Sequence, residues 1–362
     1  MLSPVLLTLI WSLGFVLQAF ALPYHGADFS SLLLLESTTN VTYSSPSSPP
    51  QPFETILADY GTNLARIRIW TASTYDLPYG LALAKRAQAA GMDLLIDLHY
   101  DDTWADAGHQ AIPSGWPTDL EGLTAQVYNY TKGLVTSFNE QGTPIQFIQI
   151  GNEINDGLLW PTGQISVNGF GPASELLHAG VLAVRSVSPT TKTVIHLANG
   201  WDEADVAYFY GGIFNVSSGE EGLGGGLQES DVDAMGFSYY PFYGTDATLT
   251  ALTSSMESVI GNYSKNVMVV ETDWPAVCNT TATPLSEPTI PVSVAGQEYW
   301  VQDINDVLDG INLLYPDKAI GIVYWEPGWI GNAALGSGCA DTLLVTSTGE
   351  ARESMSMFGL DM

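Results

Sequence analysis

Short apolar segments typical of buried β-strands recur along the chain. They lie at Tyr24–Asp28, Leu64–Trp70, Asp93–His99, Gln146–Ile150, Thr193–Leu197, Asp233–Tyr240, Val267–Glu271 and Ile320–Glu326. Stretches with apolar residues at helical spacing lie between several of them, at Leu81–Ala90, Leu123–Asn139, Ser174–Ser186, Leu249–Ile260 and Gln297–Leu314. Eight strands that alternate with helices predict an α/β fold, a single (β/α)8 TIM barrel, rather than an open doubly wound sheet.

Two segments depart from this alternation. Ser37–Pro52 is rich in Ser, Thr and Pro, which predicts a solvated loop after the first strand. Asn279–Val294 carries several prolines and lies between the seventh strand and its helix. Neither segment reads as a linker and the sequence contains no internal repeat, so we expect one folded domain.

The N-terminus has the pattern of an export signal. The first 21 residues form an apolar run that ends in Ala19-Phe20-Ala21. Small residues at these spacings are typical of a cleavage site, so we predict a signal peptide at 1–21 and the barrel domain at 22–362. The run lacks Lys and Arg, which leaves an uncleaved anchor as the alternative.

Sequons and cysteines agree with export. Five Asn-x-Ser/Thr sequons, which are predicted glycosylation sites, lie at Asn40, Asn129, Asn215, Asn262 and Asn279. The two cysteines, Cys278 and Cys339, would meet an oxidising compartment and form a disulfide. A structural zinc site needs four ligands, and two thiols without a nearby His supply only two, which makes a metal site the weaker interpretation. We expect a secreted, extracellular protein.

Composition narrows the classes of partner. With 46% hydrophobic and 14% charged residues, the chain can bury a large core. The net charge of −29 repels phosphate backbones and anionic lipid heads, which argues against nucleic-acid binding and against membrane-surface binding. A neutral or cationic partner, or an acidic medium, fits this charge.

Two glutamates stand where a barrel carries its active site, at the carboxyl ends of strands. Glu153 follows the fourth strand and Glu271 ends the seventh. Each glutamate could instead form a purely structural ion pair, but the chain has only 10 lysines and arginines to serve as partners. Two carboxyl groups across one cleft favour glycoside hydrolysis, in which one attacks the anomeric carbon and the other protonates the leaving oxygen.

Arginines and aromatic residues gather at the same predicted rim. Arg66 and Arg68 lie at spacing two on the second strand and therefore share a face, where they would orient a glutamate or form structural ion pairs. Sugar rings stack on aromatic side chains, while sugar hydroxyls bond to Asn, Asp and His. The aromatic residues at or after predicted strand ends are Trp70, Trp104, Trp116, Trp201, Trp274, Trp325, Trp329, Tyr239, Tyr240 and Tyr243.

Other chemistries have less support. His99, Asp101, Asp102, Asp106 and His109 cluster after the third strand without His-x-x-x-His spacing, so we favour substrate hydrogen bonding by His99 over a metal site. No Gly-x-Gly-x-x-Gly follows the first strand, and no Gly-x-Ser-x-Gly elbow occurs. We therefore expect neither a cofactor nor a metal.

Six blocks of sequence carry a family resemblance. They are HGADFSS at His25–Ser31, DLHYDDTWAD at Asp97–Asp106, GNEI at Gly151–Ile154, SYYPFY at Ser238–Tyr243, VET at Val270–Thr272 and YWEPGWIG at Tyr324–Gly331. Because it carries these six blocks together, the chain resembles the fungal arabinogalactan endo-β-1,4-galactanases of glycoside hydrolase family 53. The resemblance spans nearly the whole predicted mature chain and implies a (β/α)8 barrel that cuts β-1,4-galactan of type I arabinogalactan internally.

The resemblance also implies roles for residues at matching positions. Glu153 would be the general acid/base and Glu271 the nucleophile, with Asn152 bonding the sugar 2-hydroxyl. Tyr239 or Tyr240 would hold the nucleophile, and Trp325 would form the floor under the cleaved sugar. Together with the rim residues this predicts substrate contacts at Arg66, Arg68, His99, Asp102, Trp104, Asn152, Asn199, Trp201, Tyr239, Tyr240, Trp325 and Trp329.

Departures from the fungal pattern concern outer subsites. The loop Thr71–Leu77 is shorter than the matching loop of the fungal family, and Ala198 stands where that family more usually has an acidic residue. Bacterial members bind calcium, and the fungal-like pattern gives no reason to expect it here. The alternatives are another endo-β-glycanase of this superfamily, such as a mannanase or cellulase, a non-catalytic glycan-binding barrel, and an anchored cell-wall protein. We expect a monomer whose partner is β-1,4-galactan.

Overall fold

In the computed structural model, which describes residues 22–46, 48–216, 222–279 and 284–359, eight parallel strands close into a barrel. The predicted signal peptide at 1–21 lies outside the described residues. The strands are β1 Tyr24–Asp28, β2 Leu64–Ile69, β3 Asp93–Leu98, β4 Phe147–Ile150, β5 Gly157–Leu158, β6 Gly163–Gln164, β7 Lys192–Leu197, β8 Ala234–Ser238, β9 Asn266–Thr272 and β10 Ala319–Trp325. The short β5 and β6 form a separate hairpin after β4, and the other eight make the barrel in chain order, with β10 closing on β1.

Helices surround the barrel and connect its strands. They are α1 Leu32–Thr39, α2 Phe53–Asp59, α3 Leu77–Ala89, α4 Leu120–Gln141, α5 Ile165–Asn168, α6 Phe170–Val187, α7 Glu203–Ile213, α8 Leu249–Tyr263 and α9 Val294–Leu314. Several begin at a side chain that accepts a hydrogen bond from a backbone N–H of the first turn, as Asp119 does for α4 and Ser293 for α9. The predicted barrel is confirmed, and each of the five predicted helices is present.

The segment Ser37–Pro52, predicted as a solvated loop, is mostly exposed but partly ordered. Its first residues continue α1, which ends at Thr39, and Tyr43 forms a β-bridge to Gln51. The Tyr43 ring is 2% exposed, and its hydroxyl donates to the backbone oxygen of Gly328, 2.8 Å away. Most of the described residues of the segment are exposed, as predicted, but its start is helical and the Tyr43 ring anchors its middle to the barrel.

The barrel interior changes character from bottom to top. Side chains of alternate residues point inward along each strand. Near the lower ends they are apolar and pack together, among them Leu64, Leu95, Phe147, Val194, Ala234 and Met268. Towards the carboxyl ends the buried residues become polar or charged, among them Arg66, Arg68, Asp97, Gln149, His196, Ser238 and Glu271. The fold therefore places a floor of apolar residues under a layer of charged and polar ones.

The predicted disulfide and sequons can be located. Cys278 and Cys339 are bonded, which links the segment after β9 to the segment after β10. The asparagines of all five sequons are exposed, as glycosylation would require. Among the described residues, no helix combines the length and hydrophobicity that a membrane span needs.

Candidate active site

Arg66 is the centre of the buried polar layer. Its guanidinium is 1% exposed and donates to side-chain oxygens on several strands. The partners are Asp28 at 2.9 Å, Asp97 at 2.9 Å, Glu271 at 2.8 Å, Asn152 at 2.9 Å and Gln149 at 2.8 Å. Because a buried charge is costly unless it is paired, this set both satisfies Arg66 and fixes the carboxylates around it.

Glu271 lies near the carboxyl end of β9 and is held from two sides. Arg66 Nη2 lies 2.8 Å from Oε1, and the Tyr240 hydroxyl donates to Oε2 over 2.8 Å. Burial raises the pKa of Glu271, while the Arg66 cation and the Tyr240 hydrogen bond oppose that rise. The two contacts orient the carboxylate and favour its charged form.

Glu153 lies just beyond β4, where the backbone turns sharply. Glu153 itself adopts a left-handed conformation with φ of 49°, and Gly151 has φ of 92°, which a residue with a side chain rarely adopts. The Ser238 hydroxyl donates to Glu153 Oε1 over 2.5 Å. Burial and the nearby Glu271 charge, assisted by Asp106, raise the pKa of Glu153 to about 8. Glu153 therefore keeps a proton through the neutral range.

A neutral histidine supports the Ser238 contact. His196 is fully buried, and burial together with Arg66 lowers its pKa well below the ordinary value. Its Nε2 lies 2.8 Å from Ser238 Oγ, whose own proton is directed to Glu153. Its Nδ1 lies 2.9 Å from Gln149 Nε2, a donor, and 2.9 Å from Asn152 Oδ1, an acceptor, so contacts on both ring nitrogens hold the imidazole beside Ser238.

The two glutamates line one cleft of about 320 Å³ at the carboxyl ends of the strands. Its other lining residues are Arg66, Arg68, His99, Trp104, Ala105, Asp106, Asn152, Tyr240, Tyr243, Trp325, Trp329, Asn332, Leu335 and Gly336. A second cavity of about 360 Å³ continues past Glu153 and includes Ala198 and Asn199 but not Glu271. A ligand in both cavities would therefore pass the proton-bearing glutamate at the junction.

Comparisons with known proteins agree with this geometry. The sequence profile described as Glycosyl hydrolase family 53 matches residues 24–358. The chain belongs to glycosyl hydrolase family 53. It is therefore a glycoside hydrolase, and this activity agrees with two carboxyl groups in one cleft.

The chain is similar to several proteins that are named as galactanases. The chain is 44% identical to a probable arabinogalactan endo-beta-1,4-galactanase A of Neosartorya fischeri, over 98% of each chain. It is 43% identical to the arabinogalactan endo-beta-1,4-galactanase A of Aspergillus niger, over 95% of this chain and 96% of that one. A solved fungal beta-1,4-galactanase superposes with a TM-score of 0.87 at 38% identity, over 94% of this chain and all of the other.

Three tryptophans of this family 53 enzyme form one side of the cleft. Trp104, Trp325 and Trp329, called here the tryptophan wall, lie among the residues predicted to contact substrate. The rings of Trp104 and Trp329 are 6.2 Å apart between centroids and 19° from parallel. Trp325 meets Trp104 edge-on at 6.2 Å and Trp329 edge-on at 6.4 Å. The apolar surface is suited to the C–H face of a sugar.

Fewer aromatic residues line the cleft than the sequence analysis predicted. Tyr239 is 0% exposed, its ring stacks on Trp300 at 4.9 Å, and its hydroxyl donates to a backbone oxygen, so it points away from the cleft. Of the two tyrosines, Tyr240 is the one that contacts Glu271. Trp274 is also buried against Trp300, and Trp201 packs on the apolar core and lines neither cavity.

Asp102 and His99 of the family 53 enzyme are engaged within the protein. The Asp102 carboxylate accepts from the Thr71 hydroxyl at 2.7 Å and from the Ser114 backbone at 2.8 Å, and it lines neither cavity. The position of Asp102 therefore does not support the predicted contact with substrate. His99 lines the cleft, but one ring nitrogen lies 3.0 Å from Asp97 and the other accepts from the Ala105 backbone. No metal-binding group of three or more side chains occurs in the part of the chain that the structure describes.

Residues that support the site were missing from the sequence prediction. They are Asp28, Gln149, His196 and Ser238, together with Asn332, Leu335 and Gly336 beyond β10. A polar residue inside an apolar strand was the available signal for the first four, because it must face either a partner or the cleft. The loop residues beyond β10 carry no such signal.

Asp273 holds a buried carboxyl group beside the site. It is 0% exposed, and neither oxygen has a hydrogen-bond partner among the described residues. Burial and the Glu271 charge raise the pKa of Asp273 far above its ordinary value. The folded protein therefore holds a proton here that the unfolded chain releases above pH ~4.

We expect Asp273→Asn to stabilise this family 53 enzyme increasingly as pH rises. Because the folded state binds the extra proton, the wild type loses stability between pH ~4 and the raised pKa, and the amide abolishes that loss. Urea unfolding at pH 4, 5.5 and 7 should show near-equal stability at pH 4 and a gain above about 1 kcal/mol at pH 7. A gain that does not grow with pH would contradict this assignment.

Proposed function

We propose that this protein is a secreted, retaining endo-β-1,4-galactanase acting on type I arabinogalactan. The observation that carries the proposal is the pair Glu153 and Glu271 on one cleft, with the pKa of Glu153 raised to about 8 and Glu271 paired to Arg66. The substrate comes from the relatives, which are named arabinogalactan endo-beta-1,4-galactanases and match over nearly the full chain.

In the first step Glu271 attacks the anomeric carbon of the bound galactose. A covalent glycosyl–enzyme ester forms as the bond to the glycosidic oxygen breaks, and Glu153 gives its proton to that oxygen. The departing chain leaves past Glu153 into the cavity that contains Asn199. Arg66 and Tyr240 hold Glu271 in position, so little reorganisation is needed when the nucleophile loses its charge.

In the second step Glu153, now a carboxylate, takes a proton from water. The water oxygen attacks the anomeric carbon from the face that the leaving chain vacated, and Glu271 departs as a carboxylate. Two inversions give net retention, and both glutamates return to their starting states. The raised pKa of Glu153 suits this exchange, because the ester removes the Glu271 charge that had favoured its proton.

Several features support secretion and a single-chain enzyme. The apolar run at 1–21 ends in a cleavage pattern, the five sequon asparagines are exposed, and the disulfide suits an oxidising compartment. We assign the mature chain to residues 22–362 and propose that it acts as a monomer. The cavity containing Ala198 and Asn199 would bind the leaving part of the polysaccharide.

Parallel hydrolysis of three polysaccharides tests the proposal. We expect reducing sugar from linear β-1,4-galactan at a rate at least about 100-fold above that from mannan or carboxymethylcellulose, because axial and equatorial hydroxyls require different polar contacts. Proton NMR of the first products should show the β-anomer before mutarotation. Preferred mannan or cellulose cleavage would replace the substrate, an initial α-anomer would replace the mechanism, and no hydrolysis would leave a glycan-binding barrel.

A further inference from the structure

Arg68 lies beneath the tryptophan wall with aromatic rings on several sides. The centre of its guanidinium is 4.3 Å from the Tyr75 ring centroid, 4.6 Å from that of Trp104 and 5.3 Å from that of Trp329. Each distance is within the range of a cation–π contact, and such contacts strengthen when they are removed from water. Arg68 is 0% exposed, so its charge acts on these rings with little screening.

The ion pairs of Arg68 use only one corner of its guanidinium. Glu326 Oε1 contacts Nη1, and Asp28 Oδ1 lies 3.5 Å from the same nitrogen. Nε and Nη2 have no hydrogen-bond partner among the described residues. Because the carboxylates meet the edge and leave both faces open, the plane of the group is free to pack against rings.

Tyr75 holds Arg68 from the side away from the cleft. It is 3% exposed, lines neither cavity, and packs edge-on against Trp70 at 4.6 Å and Tyr79 at 5.2 Å. Trp104, in contrast, is 36% exposed at the cleft. The arginine therefore connects a buried aromatic cluster to the surface on which a sugar would stack.

We propose that Arg68 is a positioning residue that sets the orientation of the tryptophan wall and thereby the binding of substrate, while bond cleavage is left to Glu153 and Glu271. A role limited to neutralising Glu326 would need a positive charge but no planar face. The inference rests on the proposed function in one respect, since the substrate that stacks on the wall is taken to be β-1,4-galactan.

Arg68→Lys separates the two roles, because it keeps the charge beside Glu326 and removes the planar face. With β-1,4-galactotetraose we expect KM to rise roughly ten-fold while kcat stays within about three-fold. Arg86→Lys is the matched control, since Arg86 pairs with Glu36 and Glu54 away from the cleft. Wild-type KM in Arg68→Lys, or a loss confined to kcat, would overturn the proposal.

A mutant cycle tests whether Arg68 acts through the wall. In a Trp104→Ala/Trp329→Ala background, we expect Arg68→Lys to change kcat/KM by less than about two-fold, because the rings that it positions are gone. An undiminished effect in that background would show direct action and contradict the proposal. Tyr75→Leu removes the buried ring without touching either carboxylate, and should raise KM in the same direction even if Arg68→Lys does not fold.

Near-UV circular dichroism gives a readout that needs no substrate. Arg68→Lys and Tyr75→Leu should both change the tryptophan bands, whereas Arg86→Lys should leave them as in the wild type. Unchanged bands in the first two variants would refute the positioning role. If the wild type fails to cut galactan while these bands change as expected, the proposed substrate is wrong and the role of Arg68 stands.

Discussion

Glu271→Gln should lower galactan hydrolysis by more than about 10⁴-fold, because the amide cannot form the glycosyl ester. Glu153→Gln should lower it by about 10² to 10⁴-fold, because the leaving sugar oxygen must then depart without a proton. Initial rates with linear galactan measure both. Glu140→Gln, at an exposed position of α4, is the control and should match the wild type.

Leaving-group chemistry distinguishes the two glutamates. An aryl galacto-oligosaccharide with an acidic phenol needs little protonation, so Glu153→Gln should form its glycosyl–enzyme at near wild-type rate, and added azide should accelerate turnover. Glu271→Gln should gain nothing from the better leaving group. If both variants respond alike to the aryl substrate, the separate roles assigned to Glu153 and Glu271 are wrong.

The pH profile follows from the same assignment. The proton of Glu153 is required in the first step, and a pKa raised to about 8 keeps it bound below that pH. Wild-type kcat/KM on galactan should therefore fall as pH rises through about 8. The same alkaline fall should be absent when Glu153→Gln acts on the aryl substrate. A net charge of −29 also favours an acidic working medium, and peak activity at alkaline pH would contradict that expectation.

The barrel could be predicted because its strands are covered on both faces. Such strands read as continuous apolar runs, and their recurrence is visible without any knowledge of contacts. Helix α7 was missed because Glu203–Ile213 mixes aromatic residues with two adjacent glycines and lacks clear helical spacing. The helix α2, Phe53–Asp59, is too short for its period to stand out.

The meeting of two glutamates in one cleft could be predicted for a related reason. A glutamate at or just beyond the end of an apolar strand is costly unless it is solvated or paired, and Glu153 and Glu271 both occupy such positions in the sequence. The tryptophans are different, because a ring at a strand end packs equally well inward or outward. Trp325 lines the cleft and Trp274 lies in the core, and only the direction of each side chain separates them.

Arg66→Met should destabilise the folded protein by about 3 to 5 kcal/mol, because it leaves buried carboxylates without their partner. Asp28 and Asp97 are both fully buried and both lie 2.9 Å from the guanidinium. Burial alone would raise the pKa of Asp97, yet Arg66 and His99 hold it below the ordinary value. Denaturant unfolding at pH 5 to 7 measures the loss.

Arg86→Met is the matched control for this prediction. Arg86 also bridges two carboxylates, but its side chain is 27% exposed and that of Glu36 is 33% exposed, so solvent screens part of the interaction and we expect a smaller loss than for Arg66→Met. The deficit of Arg66→Met should shrink as pH falls towards 4, because Asp97 and Glu271 can then be neutralised by protons instead. If both variants lose the same stability at every pH, the buried carboxylates are already neutral in the wild type. Glu271 would then lack the negative charge that a nucleophile needs, so this outcome would contradict the proposed mechanism as well as the predicted loss of stability.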